Sequence, residues 1–405
     1  VKALINVLKK NKSNFFTGVP DSVLKELSFE LKNKSKKDHI IATNEGSAIS
    51  IGIGYYLSTK KVPSIYMQNS GLSNALNPLI SIAHPKVYSI PLILIIGWRG
   101  SPRVKDEPQH NVKGKITEKI LKLLNIKYTI IRNHKDLKKF DKQIKNAKKN
   151  KSIVACLIEQ GTLEKNNKKL KKKDYYKLDK EIFFKTLLET LDNKSKIISS
   201  TGYNSRELMY IRKKYQLKKS KDFYMVGGMG HTSSVALGYS LSTNKKTICI
   251  DGDGSFLMHL GAIKTAGSFA DKNFKYILLN NNTHDSVGGQ STYANNIDFK
   301  TIINVINCGF STWLCLVGGV FQSKQGVRKS RTTREININK DTRFYIKVFS
   351  PVLFPIAPYF LNYFTEYTQH LFIHDGGKHL QIHSVVSFPF KAPIFDNPKS
   401  TSSFL

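Results

Sequence analysis

Two turns in the second half of the chain carry residue types that suit a metal-bound phosphate. The first follows an apolar run and consists of Gly252, Asp253 and Gly254. The second consists of three consecutive asparagines at residues 280–282, again after an apolar run. Both apolar runs predict parallel strands, whose carboxyl ends meet at one edge of an α/β sheet. We therefore expect the two turns to lie side by side.

The chemistry of these two turns favours a magnesium diphosphate. Glycine lets the backbone approach an anion closely, and a helix that begins near Ser255 would offer free N–H groups and its positive dipole end to phosphate. Mg²⁺ prefers a few protein oxygens together with phosphate oxygens and water, and Asp253 and an asparagine amide supply such oxygens. Taken alone, a Gly-Asp-Gly sequence is also compatible with an ordinary tight turn.

Two acidic residues in the first half of the chain lie at the starts of predicted helices. Glu45 follows the apolar run 40–43 and opens a predicted helix over 45–57, and Asp21 precedes a predicted helix over 22–31. Each position also has a purely structural interpretation, because a helix dipole stabilises an acid at its N-terminus and aspartate is a common N-cap. The helix after Glu45 contains several glycines, which suits close packing at an interface.

An alternation of strands and helices must position these residues. It indicates parallel sheets covered by helices on both faces. We predict an α/β fold with two doubly wound parallel-sheet domains, over residues 1–160 and 180–310, joined by a Lys-rich linker at 161–179. The predicted strands lie at 14–16, 40–43, 64–68, 92–96, 196–199, 247–250 and 274–279, and the predicted helices include 1–11, 21–31, 45–57, 72–82, 181–191, 205–213, 232–240 and 256–269.

Residues 311–405 differ in composition from the rest of the chain. They are enriched in aromatic residues, His and Pro, and the alternation of strands and helices is lost. We expect an atypical tail of unknown fold, either an accessory domain or the product of a shifted reading frame. If this tail supplies no further strand, the second sheet ends in an unpaired edge.

Composition argues against several classes of partner. The 64 Lys and Arg residues outnumber the 29 Asp and Glu residues, but the excess is almost all Lys, whereas Arg is better suited to phosphate and base recognition. We therefore expect no nucleic-acid partner. The longest apolar run, 87–98, contains Pro91 and is too short to span a bilayer, so no membrane segment is expected. The four cysteines form no Cys-x-x-Cys pair, which favours a reducing cytoplasm.

Taken together, the two turns resemble the signature of thiamine-diphosphate-dependent enzymes such as decarboxylases, transketolases and acetolactate synthases. The resemblance implies thiamine diphosphate and Mg²⁺ as cofactors, with the metal bound by Asp253, the Asn281 side chain and the Thr283 carbonyl. It also implies that Glu45 hydrogen-bonds the aminopyrimidine ring of the coenzyme and promotes removal of its C2 proton. We call residues 252–254 (Gly-Asp-Gly) the metal turn. In this family the glutamate and the metal turn come from different subunits, so a homo-oligomer, at least a dimer, is implied.

A closer resemblance, to the phosphonopyruvate decarboxylases, extends from the first residues to about Phe310. The similar segments are 15–22, 42–46, 66–71, 96–110, 201–207, 226–231 and 286–291, of which the stretch from Trp98 to His110 is the most specific. The resemblance implies a 2-oxo-acid carboxy-lyase that converts 3-phosphonopyruvate to phosphonoacetaldehyde and CO₂. The alternatives are a sulfopyruvate decarboxylase or another short-form 2-oxo-acid decarboxylase and, in a different class, an inactive remnant or pseudoenzyme.

The same resemblance implies roles for individual residues. Asp21 and His110 would handle protons near the substrate, beside the catalytic Glu45. Met229 would hold the coenzyme in its bent conformation, although a methionine there could equally belong to the core. The implied cofactor-binding residues are Glu45, Gly228, Met229, Gly230, His231, Gly252, Asp253, Gly254, Ser255 and Asn281.

Three cations in the Trp98–His110 stretch are candidates for substrate binding. A dianionic phosphonate requires cationic donors, and Arg99, Arg103 and Lys105 lie close together in the sequence. We expect at least one of them to bind the phosphonate. The alternative is a solvated charged loop.

Overall fold

Two six-stranded parallel sheets organise the part of the chain that the structure describes. The structure is a computed structural model, and it describes residues 1–163, 178–217, 222–305 and 311–318. The first sheet is built from residues 1–163 and the second from the later ranges. All pairings within both sheets are parallel, which confirms the predicted fold class.

The first sheet has the helices of residues 1–163 on its two faces. Its strands are β1 (Phe16–Gly18), β2 (His39–Ile41), β3 (Ser64–Gln68), β4 (Ile93–Trp98), β5 (Lys127–Ile131) and β6 (Val154–Glu159), in the order β2-β1-β3-β4-β6-β5. The helices are α1 (Lys2–Lys10), α2 (Lys25–Leu31), α3 (Glu45–Thr59), α4 (Leu72–Pro78), α5 (Pro108–Leu123) and α6 (His134–Lys149). Side chains alternate between the faces of a strand, and in β4 Ile93 and Ile95 join one buried core while Leu94 and Ile96 join another.

The second sheet follows the same plan. Its strands are β7 (Leu178–Asp179), β8 (Lys196–Ser199), β9 (Phe223–Tyr224), β10 (Thr247–Gly252), β11 (Phe274–Asn280) and β14 (Ser311–Gly318), in the order β7-β14-β11-β10-β8-β9, and a separate antiparallel hairpin pairs β12 (Thr283–His284) with β13 (Gln290–Ser291). The helices are α7 (Lys180–Thr190), α8 (Tyr203–Lys214), α9 (Thr232–Ser240), α10 (Asp253–Met258), α11 (Gly261–Phe269) and α12 (Phe299–Val305). In β11, Tyr276 and Leu278 face one core and Ile277 and Leu279 the other.

Strand β14 corrects the expected boundary of the second domain. The sequence placed the end of that domain at residue 310, but β14 pairs with β11 over six residues and with β7 at its carboxyl end. The tail therefore supplies a further strand to the second sheet, and β11 is not an unpaired edge. The interpretations of the tail beyond Gly318, and most of the predicted linker at 161–179, concern residues outside the described ranges.

Other elements differ from the sequence-based expectation in detail. The strand at 196–199 and the helix at 232–240 have the predicted bounds. The predicted helix at 256–269 is two helices, α10 and α11, because the backbone leaves the helical region at His259 (φ −134°, ψ 59°). Helix α10 also begins earlier than predicted, at Asp253, so the metal-turn aspartate is its first residue.

The longest apolar run of the sequence is part of the first sheet. Its second half forms β4, in which every residue is buried. Among the described helices, none combines the length and the apolar composition that crossing a bilayer requires.

Candidate active site

The Gly-Asp-Gly turn lies where β10 ends and α10 begins. Gly252 pairs with Leu279 of the neighbouring strand β11, so the turn and the asparagine run follow adjacent carboxyl ends. Asp253 is only 3% exposed, and Thr292 Oγ1 donates a hydrogen bond of 2.5 Å to its Oδ2. Burial raises the pKa of Asp253 to about 6, although this hydrogen bond acts in the opposite direction. A carboxylate buried in this way is stabilised by a cation, which suits a metal ligand.

Asp285 orients the second group of predicted ligands. Asn281 Nδ2 donates to Asp285 Oδ2 (2.7 Å), and Thr283 Oγ1 donates to Asp285 Oδ1 (2.9 Å). The backbone N–H of Thr283 donates to Asn281 Oδ1 (3.1 Å), which orients the amide oxygen. Sequence analysis missed Asp285, although its place four residues after Asn281 in the same turn was a usable signal.

Gly254 is closely packed in the metal turn. A Cβ on Gly254 would lie 2.8 Å from His284 Cε1 and 3.2 Å from Met229 Cε, so both side chains flank the turn. A Cβ on Gly252 would meet Asn204 Nδ2 at 3.3 Å. The absence of a side chain at the two glycines therefore lets His284, Met229 and Asn204 pack closely against the turn.

The loop before α9 packs against the start of α10. The Gly230 N–H donates to Ser255 Oγ (2.9 Å), and the φ angles of Gly228 (+68°) and Gly230 (+88°) favour glycine. His231 stacks on His259 with their ring centroids 4.6 Å apart. This loop therefore lies beside the metal turn. It is the loop to which the resemblance assigns contacts with the coenzyme.

The residues at this edge of the second sheet fit a magnesium diphosphate. In the part of the chain that the structure describes, no three His, Cys, Asp or Glu side chains form a metal cluster. Mg²⁺ does not require one, since it binds through one or two carboxylates together with phosphate oxygens and water. Asp253, the Asn281 amide oxygen and the Thr283 carbonyl would hold the metal, and the backbone of Gly252 and Gly254 would approach the diphosphate at the start of α10.

Glu45 is a buried acid at the first position of α3. The helix is capped by Asn44, whose side chain accepts a hydrogen bond from the Ser47 N–H (2.8 Å). Glu45 is 5% exposed, and Asn74 Nδ2 donates to its Oε2 (2.8 Å). Burial raises the pKa of Glu45, although the Asn74 hydrogen bond acts in the opposite direction. A carboxyl that retains its proton can donate a hydrogen bond to a ring nitrogen.

The segment before Glu45 contacts the metal-turn half within the same chain. Asn44 Nδ2 donates to the Met258 carbonyl at the end of α10 (3.3 Å). A small cleft between the halves is lined by Ile41, Ala42 and Thr43 on one side and by Gly254, Leu257, His284, Thr292 and Tyr293 on the other. The structure therefore brings the N-terminus of α3 and the start of α10 together. The sharing of a coenzyme between subunits stays a prediction, since the structure contains a single chain.

Gly71 leaves the space that the Glu45 carboxyl occupies. A Cβ on Gly71 would lie 2.3 Å from Glu45 Oε1. We expect Gly71→Ala to displace the carboxyl and to lower the free energy of unfolding by about 1–3 kcal/mol, as overpacking does. Urea unfolding measures the change. The control is Gly54→Ala in α3, where a Cβ would meet nothing within 4 Å and should be neutral or stabilising. Equal stabilities of the two variants would contradict this assignment.

Asp21 is fully buried beside the carboxyl end of β4. Its Oδ2 accepts hydrogen bonds from the N–H groups of Val23 (3.0 Å) and Leu24 (3.2 Å), and its Oδ1 accepts from Gln68 Nε2 (2.5 Å). Burial raises the pKa of Asp21 against the effect of these bonds. A Cβ on Gly97 would lie 2.0 Å from Asp21 Oδ2. Asp21 holds the turn before α2, but the N-cap of that helix is Leu24.

Arg99 forms an ion pair within its own loop. Its Nε donates to Asp106 Oδ2 (2.6 Å), its Nη2 to Asp106 Oδ1 (2.5 Å) and its Nη1 to Ser22 Oγ (3.1 Å). The Arg99 hydrogen bonds hold the pKa of Asp106 well below its usual range. Arg103 and Lys105 are exposed. Of the three candidate cations, Arg99 thus already has a bidentate partner and serves to shape the loop.

His110 lies near the start of α5 with its side chain partly buried. Its Nδ1 is buried and has no hydrogen-bond partner among the described residues, and its Nε2 lies 3.8 Å from Glu107 Oε2. Burial lowers the pKa of His110, and the charge of Arg99 lowers it further. A buried polar atom without a partner is costly in an isolated chain, and a bound substrate can satisfy it.

Comparisons with known proteins agree with this geometry. The family described as "Thiamine pyrophosphate enzyme, N-terminal TPP binding domain" matches residues 1–120, and "Thiamine pyrophosphate enzyme, C-terminal TPP binding domain" matches residues 201–304. A phosphonopyruvate decarboxylase of Streptomyces viridochromogenes is 32% identical over 322 residues, which cover 72% of this chain and 76% of the relative. The phosphonopyruvate decarboxylase of Streptomyces hygroscopicus is 31% identical over 311 residues (72% and 75%).

A sulfopyruvate decarboxylase is also similar over both halves. The protein from Methanosarcina acetivorans is 28% identical over 322 residues, covering 73% of this chain and 79% of the relative. The two α/β domains, with their paired turns, are those of the thiamine pyrophosphate enzymes. Within that class, the chain belongs to the phosphonopyruvate decarboxylase family and is a carboxy-lyase.

Proposed function

We propose that this chain decarboxylates 3-phosphonopyruvate to phosphonoacetaldehyde and CO₂, with thiamine pyrophosphate and Mg²⁺ as cofactors. The observation that carries the proposal is the match of a phosphonopyruvate decarboxylase across both halves of the chain, at 32% identity over 322 residues. The buried Asp253, between two glycines at the start of α10, supports the binding of a metal diphosphate. The buried Glu45, with its raised pKa, supports an acid that hydrogen-bonds the coenzyme.

The residues of the chain bind and orient the reacting groups in this proposal. Thiamine pyrophosphate, when bound, supplies the electron sink that amino-acid side chains lack. Asp253, Asn281 and Thr283 hold the metal, with Asp285 fixing the orientation of the latter two. Glu45 donates a hydrogen bond to the pyrimidine ring. The remaining implied contacts come from the metal turn and the adjacent loop, at Gly228, Met229, Gly230, His231, Gly252, Gly254 and Ser255.

Proton transfer near the substrate is assigned to Asp21 and His110. The lowered pKa of His110 keeps its ring neutral near pH 7, so the ring can accept a proton, and its buried Nδ1 has no hydrogen-bond partner among the described residues. The raised pKa of Asp21 favours a carboxyl that can release one. Arg103 and Lys105 are the cations proposed for the phosphonate, because Asp106 already binds Arg99 in a bidentate manner.

A sulfopyruvate decarboxylase is the second candidate. The similarity of the Methanosarcina acetivorans protein over 322 residues favours it, as does the 36% identity of the sulfopyruvate decarboxylase subunit beta of Methanocaldococcus jannaschii over 129 residues. Phosphonate and sulfonate differ in charge at neutral pH, so the cations of the 99–105 loop would discriminate between the two substrates.

Calorimetry and a substrate comparison test the proposal. The full chain is titrated with thiamine pyrophosphate in Mg²⁺, and CO₂ release is then measured with phosphonopyruvate, sulfopyruvate and pyruvate. We expect coenzyme binding and the highest kcat/KM with phosphonopyruvate. A preference for sulfopyruvate would identify the chain as a sulfopyruvate decarboxylase instead. Absence of coenzyme binding would indicate an inactive remnant.

We also propose a homo-oligomer, at least a dimer, in the cytoplasm. Relatives named as alpha and beta subunits of sulfopyruvate decarboxylase support assembly from more than one chain. Two free, buried thiols, Cys156 and Cys249, support a reducing compartment. A monomeric mass in light scattering of the purified chain would contradict the assembly.

A further inference from the structure

Lys180 is a buried lysine at the ligand edge of the second sheet. It is 7% exposed, although an ammonium group is costly to bury unless nearby charges compensate it. Sequence analysis placed it just after the linker and assigned it no role. Its burial therefore requires a reason in the surrounding charges.

Local structure explains how Lys180 reaches this edge. Asp179 caps α7 by accepting hydrogen bonds from the N–H groups of Glu181 (2.7 Å) and Ile182 (3.2 Å). Asp179 also pairs with Gly318 at the carboxyl end of β14. Lys180 is consequently held at the carboxyl edge of the sheet. The metal turn and the asparagine run follow β10 and β11 at this same edge.

The neighbours of Lys180 are acids that flank the metal turn. Its Nζ lies 3.7 Å from Oε2 of Glu207, which is 3% exposed and has no hydrogen-bond partner for that oxygen among the described residues. Burial raises the pKa of Glu207 to about 7, with Asp285 adding to the effect and Lys180 opposing it. Helix α8, which carries Glu207, also reaches the metal turn, since a Cβ on Gly252 would lie 3.3 Å from Asn204 Nδ2. Lys180 thus faces the acid of α8 beside the metal turn.

We propose that Lys180 is a positioning residue that supplies the buried positive charge needed to balance the coenzyme diphosphate at this site. The inference rests on the proposed function. Asp253, Glu207 and Asp285 can carry three negative charges at this edge of the sheet, where Lys180 supplies one positive charge beside Glu207. Mg²⁺ adds two positive charges, but the diphosphate then adds further negative charge in a poorly solvated place. Lys180 offsets that addition, because charges interact strongly where water is excluded.

Loss of the Lys180 charge should change the affinities for Mg²⁺ and for the coenzyme in different ways. Without Lys180 the site is more negative, so Mg²⁺ alone should bind as well as before or more tightly. Thiamine pyrophosphate, an anion, should bind more weakly at saturating Mg²⁺. A purely structural role, in which Lys180 only neutralises Glu207, would weaken both ligands together through a damaged fold.

Calorimetric titration of the full chain with Mg²⁺ alone, and with thiamine pyrophosphate at saturating Mg²⁺, tests the inference. We expect Lys180→Met to weaken coenzyme binding about 10- to 100-fold, the range found for groups that support metal ligands, without weakening Mg²⁺. Lys180→Arg, which keeps the charge, should restore most of the affinity. The control is Lys185→Met in the same helix, where a partly exposed lysine pairs with Glu189; this variant should bind both ligands normally.

A double variant keeps the test decisive where Lys180→Met folds poorly. Combining Lys180→Met with Glu207→Gln removes both buried charges, so neither is left unpaired. We expect the double variant to retain the loss of coenzyme affinity, since the cation is still absent. Recovery of wild-type coenzyme affinity in the double variant would overturn the proposal in favour of simple charge pairing. Failure of the unmodified chain to bind the coenzyme would instead refute the proposed function itself.

Discussion

Replacing Asp253 by Asn is expected to lower the affinity for thiamine pyrophosphate in Mg²⁺ at least about 100-fold, beyond the range of losses at supporting residues. The substitution keeps the shape of the side chain and an oxygen that can accept the Thr292 hydrogen bond. It removes the only charge among the three predicted metal ligands. Mg²⁺ is a hard cation that favours carboxylate over amide oxygen, so the metal and then the diphosphate should be lost.

Isothermal calorimetry with Mg²⁺ and coenzyme measures the effect, and a thermal melt verifies folding. We expect the melting temperature of the metal-free variant to be no lower than that of the unmodified chain, because a neutral amide avoids burying an uncompensated charge. Asp271→Asn, at an exposed aspartate before β11, is the matched control and should bind the coenzyme normally. Coenzyme affinity of Asp253→Asn within threefold of the control, about 0.7 kcal/mol, would refute the metal assignment.

Replacing Glu45 by Gln is expected to reduce kcat/KM about 10²- to 10⁴-fold, the contribution typical of a positioned acid or base. Glutamine has nearly the same shape, and its carbonyl oxygen can still accept the Asn74 hydrogen bond. It cannot exchange a proton with the pyrimidine ring. Since Glu45 belongs to the first half and the metal turn to the second, coenzyme affinity should change far less than turnover.

Exchange of the coenzyme C2 proton with deuterium, followed by NMR, measures the step that Glu45 is proposed to assist. The exchange should slow in Glu45→Gln while calorimetry still shows binding. Glu30→Gln, in α2 of the same half, is the control and should leave both properties unchanged. Normal exchange and turnover in Glu45→Gln would leave this residue with only a structural role at the start of α3.

The elements that carry the site were predictable because their signals are local. An apolar run followed by glycine or asparagine marks a strand end, and the structure shows β10 and β11 paired in parallel with their turns adjacent. Glu45 was likewise predicted to open its helix, although the capping group proved to be Asn44. Where local signals were ambiguous the expectation failed: a continuous helix was predicted over 256–269, but the chain breaks at His259.

Residues that support the site escaped sequence analysis because their roles depend on partners elsewhere. Arg99 was one of three candidate cations for the substrate, and only the structure shows that Asp106 binds it in a bidentate manner. Gly71 has no motif of its own and matters only because the Glu45 carboxyl occupies the space beside it. Strand β14 lay in a stretch whose composition suggested no sheet, and its pairing with β11 reveals it.

The sequence by itself determined the family, the two parallel-sheet domains and the identity of the turn residues Asp253 and Asn281. Apolar periodicity and turn chemistry are properties of neighbouring residues, so they can be recognised before any fold is known. Only the tertiary structure decided that Lys180 and Glu207 lie beside the metal turn. Their encounter depends on how three strands align at one sheet edge, and charge interactions across such distances in sequence exist only after the chain has packed.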